Sequence, residues 1–159
     1  MFILFQVLGS AVAPSNPPLA GAAPQLTPAQ QDVNNRNGAI RRLINELADE
    51  SANSATRITT ILTTLRERNT AMANAGLPAY TAKTDPIYLH LGERVAQIRR
   101  ELTQRNSQLG MYMTLRDGRP VILDTPTVTR LLGERYEVDL RLDRVNRVYT
   151  GLFDLFPRQ

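Results

Sequence analysis

The sequence predicts a mainly α-helical chain: an antiparallel helical hairpin or three-helix bundle with coiled-coil-like seams, one small β-hairpin and an extended N-terminal arm. Three observations predict it. Apolar residues recur three and four apart through three long segments, Pro-led capping signals open the helices, and a single Asp-Gly pair divides two short apolar runs.

The arm comes first. Phe2, Ile3, Leu4, Phe5, Val7 and Leu8 form an apolar tip, followed by Pro14, Pro17, Pro18 and Pro24 among Ala, Gly, Ser and Asn. Residues 1–26 therefore read as a sticky tip on a tether, and residues 27–159 as the helical domain. The run falls short of the ~20 apolar residues that span a bilayer. Ala11-Val12-Ala13 resembles a signal-peptide cleavage site, but the first basic residue is Arg36, so the positive flank of such a peptide is missing. The reading that remains is a docking peptide that enters a groove or adds a strand to a sheet. Peripheral membrane contact through the same tip is the alternative.

Thr27-Pro28-Ala29-Gln30 combines a capping Thr, Pro in the first helical position and Gln three residues after the cap. Val33, Ile40, Ile44, Leu47, Ile58, Ile61, Leu65 and Met72 then share one heptad-like seam, and Ala75-Gly76-Leu77-Pro78 supplies a stop. The expectation is one helix over about 28–75, roughly 70 Å long at 1.5 Å per residue. Its weak point is Ser51-Ala52-Asn53-Ser54, where the seam turns polar and the helix could break or kink.

Asp85-Pro86 opens the second helix, about 86–109, with Tyr88, Leu91, Val95, Ile98, Leu102 and Leu109 on its seam. Arg105 would lie on that seam, either snorkelling off its edge or meeting a partner's carboxylate. Asp117-Gly118 between Met111–Leu115 and Pro120–Leu123 predicts a β-hairpin over about 111–123, with Arg116 and Arg119 at its tip. Thr125-Pro126 starts a short helix that Gly133 is expected to end. A third long helix, about 134–156, follows from Val138, Leu142, Val145, Tyr149, Leu152 and Phe156. Tyr136 to Leu142 also alternates as a strand would, so a strand joining the hairpin is the alternative there.

The chemistry available is narrow. With no cysteine, disulfides and thiolate chemistry are excluded. His90 is the only histidine, and nine scattered glycines never form a Gly-x-Gly phosphate loop. No catalytic, cofactor or metal set is expected. The formal charge is +4 and rests on arginine, since Lys83 is the only lysine; the arginines are interspersed with acids rather than clustered.

These features favour a non-enzymatic structural or assembly subunit, on the architectural analogy of minor capsid, cement or connector proteins of virions. Its expected partners are other protein subunits or further copies of itself. The alternatives are an arginine-rich helical module that binds nucleic acid or an anionic membrane surface, and an exported helical adaptor or chaperone. The candidate interaction residues are Phe2, Ile3, Leu4 and Phe5 in the arm, Arg105, Arg116 and Arg119, and Leu152, Phe153 and Phe156 near the end.

Overall fold

The computed structural model describes residues 25–157. Among the described residues the chain is mainly helical, with four helices and one two-stranded antiparallel hairpin. The helices are α1 (Pro28–Asp49), α2 (Ser54–Asn74), α3 (Pro86–Met111) and α4 (Thr125–Phe153); strands β1 (Met113–Arg116) and β2 (Arg119–Ile122) join α3 to α4. The predicted arm, with Phe2, Ile3, Leu4 and Phe5, lies outside the described residues.

The local signals act as their chemistry dictates. The Thr27 hydroxyl accepts from Gln30 N at 3.1 Å, while Thr27 N donates to the Gln30 side chain at 2.9 Å, a reciprocal cap. At the end of α2, Gly76 takes φ +70°, and Leu77 N and Gly76 N return to the Met72 and Ala73 carbonyls. This is a Schellman closure, which needs a residue that tolerates positive φ. Asp117 and Gly118 both have positive φ, as a two-residue type I′ turn requires, and set Met113 opposite Ile122 and Arg116 opposite Arg119.

Three expectations are corrected. The single helix over 28–75 is two helices folded back on each other: Glu50 is extended and Asn53 is left-handed, at φ 56° and ψ 31°. Short polar side chains there compete with the helical backbone, and Asn tolerates the left-handed region. Arg57 closes the turn by donating to the Ala52 carbonyl, Glu46 and Glu50 at 2.9–3.2 Å. The last helix begins at Thr125 and not near 134, because Gly133 is an interior helical residue. One helical glycine costs only about 1 kcal/mol, which the buried Val128, Leu131 and Val138 on either side offset. The strand alternative at Tyr136–Leu142 falls with it, since that stretch is helical.

α3 and α4 share the longest interface and α1 and α2 the next. α4 also touches α1 and α2, and α1 touches α3, while α2 and α3 make no comparable contact, as expected of a diagonal pair in a four-helix bundle. The core joins Ile40, Ile44 and Leu47 of α1, Ile61 and Leu65 of α2, Ile87, Leu91, Val95 and Ile98 of α3, and Val138, Val145, Val148 and Leu152 of α4. Truncating a fully buried leucine such as Leu65 to Ala would cost about 2–5 kcal/mol.

A second, smaller cluster holds only Leu109, Val128 and Leu131, with Tyr112 packed on it. Its residues come solely from α3, α4 and the start of the hairpin. α1 meets its partners well before that level, through His90 with Asn45, Arg94 with Asp49, and Arg141 and Arg144 with Ala48 and Leu47. Residues of about 102–137 therefore project beyond the α1–α2 turn by ~15–20 Å as a helix pair capped by the β-hairpin.

Candidate functional site

At the end of the bundle opposite this projection, α2 and the α2–α3 connection enclose a buried ion pair. Arg68 and Asp85 are both fully buried, with Nη2 at 2.6 Å from Oδ2 and Nη1 at 2.9 Å from Oδ1. The remaining guanidinium capacity is filled by Asn37 Oδ1 at 3.1 Å from Nη1 and by Asn69 Oδ1. The Tyr80 ring lies under the cation at 4.8 Å and its hydroxyl accepts from Asn37. Asp85 also accepts from Ile87 N at 2.8 Å, so one carboxylate both pairs with arginine and caps α3. With all three guanidinium nitrogens engaged, the cluster is a lock between α1, α2 and α3.

Next to the lock lies an apolar groove of about 490 Å³, walled by Leu26, Val33, Met72, Leu77, Ala79 and Tyr80. On the other side of the same end, Tyr88 stacks on Tyr149 at 4.5 Å and meets the edge of Phe156 at 5.2 Å. Phe153 stands edge-on to Phe156 at 6.3 Å.

The projecting end has the opposite character. Met113, Leu115, Pro120 and Ile122 share one face of the hairpin by register, and all four are exposed. Leu115 is 73% exposed, as is Met111 beside it, and Leu123, Leu132 and Tyr136 continue the exposed apolar surface along the projection. Arg116 and Arg119 face each other across the strands, a pairing of like charges that is unfavourable by itself. At the root of the projection, Arg141 meets Glu101 at 3.0 Å, and Glu134 joins Arg130 at 2.6 Å and Arg105 at 3.6 Å.

The residues singled out from sequence thus separate. Arg116 and Arg119 come together at the exposed tip. Arg105 is half-buried between Gln108 and Glu134 of its own chain, which occupy the contact reserved for a partner's carboxylate. Leu152 is completely buried in the main core, so its packing is internal. Phe156 is half-buried in the aromatic cluster and Phe153 is 55% exposed. His90 is half-buried, 3.1 Å from Asn45 Oδ1; burial, reinforced by the Arg41 and Arg94 cations, lowers its pKa.

Sequence reasoning missed the Arg68 lock, because Asp85 carried a sufficient explanation as a cap and Arg68 lies on another element. It also missed Arg141 and Arg144, whose partners are backbone carbonyls far away in the chain. Among the described residues, no three acidic, histidine or cysteine groups converge as a metal site would need, and no helix is long and apolar enough to cross a membrane.

No family model, curated protein or solved structure matches this chain.

Proposed function

We propose that this chain is a non-enzymatic assembly subunit that docks through its projecting tip, in the manner of a minor capsid, cement or connector protein. The observation that carries the reading is the concentration of exposed apolar side chains on residues 111–136, on a hairpin with one bare face and two open edges. A two-stranded hairpin is marginal in water, and an apolar patch at the end of a projection suits protein contact.

Light scattering over a concentration series tests this, comparing the full chain with Leu115→Asp/Ile122→Asp. Concentration-dependent association is expected for the first and not for the second, with equal helicity by circular dichroism. A full chain that stays monomeric throughout would remove self-assembly.

The opposed Arg116 and Arg119 favour a second reading, contact with an anionic surface such as nucleic acid or lipid headgroups. That binding would weaken steeply with salt and would fall in Arg116→Ser/Arg119→Ser.

A further inference from the structure

The two edges of the hairpin are not equivalent. Its two-residue turn makes Arg116 and Arg119 a hydrogen-bonded pair, and such pairs recur at every second position, as the bond from Leu123 N to the Tyr112 carbonyl at 2.9 Å shows. The backbone N–H and C=O groups of Met113 and Leu115 on β1, and the corresponding groups of Pro120 and Ile122 on β2, therefore point outward from the hairpin. Pro120 has no N–H, so the β2 edge lacks a donor that an added strand would need. The β1 edge keeps donor and acceptor at both of its outward positions, and Met113 and Leu115 are exposed there. We infer that this β1 edge pairs antiparallel with the β1 edge of a second copy, joining two hairpins into one four-stranded sheet. The inference rests on the reading of the tip as a docking surface and names its partner.

Three features carry it. The edge is self-complementary: setting Met113 opposite the partner's Leu115, and Leu115 opposite the partner's Met113, matches outward groups with outward groups and closes four backbone hydrogen bonds about a two-fold axis. The charges fit the same register. Arg116 then lies across from the partner's Tyr112, whose aromatic ring suits a cation, and stands four residues, about 13 Å along the strand, from the partner's Arg116. Registers slid towards the turns bring the two arginines together instead, which is unfavourable. The third feature is strand count. A lone hairpin is marginal in water, whereas three or more strands with an apolar face sustain a sheet.

Pro120 also blunts the outer edge on each side of the joined sheet, so assembly closes at two chains and does not grow as a fibre. Strands of four residues bury less than the ~1,200 Å² of a standard interface, which suits a contact made where copies are concentrated, as neighbouring subunits of an assembly are.

Amide hydrogen exchange on the full chain, resolved by NMR from roughly 10 μM to 1 mM and paired with light scattering, tests this. Where about nine-tenths of the chain is paired, the Met113 and Leu115 amides should exchange about tenfold more slowly than in the dilute chain, while the Ile122 amide keeps its dilute rate. Leu115→Pro removes one outward donor and no bond of the hairpin, so it should stay monomeric, while Leu115→Val should associate as the native chain does. Association that Leu115→Asp/Ile122→Asp abolishes, but that leaves Met113 and Leu115 unprotected, would overturn the edge pairing and leave the tip as the docking surface. Association that survives those substitutions would overturn both. A chain that is monomeric at every concentration would overturn the second copy as partner and leave the tip to a different protein.

Discussion

Arg144 of α4 donates its Nε hydrogen to the backbone carbonyl of Leu47 at 3.1 Å, across 97 residues of sequence. Arg141 does the same to the Ala48 carbonyl at 3.1 Å. The last turn of α1 has carbonyls without intrahelical partners and the negative end of the helix dipole, and Glu50 turns away in extended conformation. Two arginines from another helix satisfy both needs at the point where the backbone reverses into α2.

Replacing Arg144 by Met keeps most of its apolar stem and removes the donor. A loss of about 1–3 kcal/mol is expected, because the Leu47 carbonyl is buried and would be left unpaired. Hydrogen exchange should accelerate first at Leu47 to Glu50, which distinguishes a failed helix end from general loosening.

The Arg68–Asp85 lock should be more sensitive than any surface pair. Arg68→Met is expected to destabilise the fold by about 3–5 kcal/mol, since Asp85 then remains buried without its cation. Asn37→Ala should cost about 1–3 kcal/mol by removing one acceptor of the guanidinium. By contrast, Arg147→Ala, which breaks an exposed pair with Asp143, should change stability by less than about 1 kcal/mol. Urea midpoints at unchanged m value would rank the three.

Two helical glycines separate propensity from packing. A Cβ at Gly133 meets nothing within 4 Å, so Gly133→Ala should stabilise by about 1 kcal/mol. A Cβ at Gly151 would stand 2.8 Å from Leu62 Cδ2, and Leu62 is packed against the core. Gly151→Ala should fall short of Gly133→Ala by at least about 1 kcal/mol in thermal or chemical denaturation.

His90 gives the chain a pH dependence of known sign. Its pKa is lowered from 6.5 in the fold by burial, so on acidification the unfolded chain takes up this proton before the folded chain does. Stability contributed by neutral His90 is therefore complete above the unfolded value of 6.5 and declines as pH falls through that value towards the lower folded one. Denaturation midpoints across that window should fall for the native chain and flatten in His90→Gln.

Much of the fold was legible because its signals are local. Thr27 with Gln30, Asp85 before Pro86, Gly76 before Pro78, and Asp117-Gly118 each specify a backbone conformation over four residues or fewer, and each acts where it stands. The break at residues 50–53 was legible only as a weakness, since the choice between a kink and a full reversal depends on what Arg57, Arg141 and Arg144 find in space. Gly133 misled for the complementary reason: an isolated glycine reads as a stop, yet packing on both sides carries the helix through it. The Arg68 lock and the groove beside it arise from residues brought together by the reversals, and periodicity holds no record of such meetings. The exposed tip was half legible: the hairpin and its arginines were, but the length of the projection was not, because it follows from where α1 and α2 end.

That projection is built from one uninterrupted stretch of chain, with its root near residues 101 and 138. Its extent is therefore set in whole helical turns and can change without disturbing a single contact at the far end. One heptad added to α3 and one to α4 would carry the hairpin outward by ~10 Å while keeping its apolar seam in register. The molecule is built like a ruler with a fixed handle, and the distance at which its tip stands is a property that insertion or deletion can tune separately from stability.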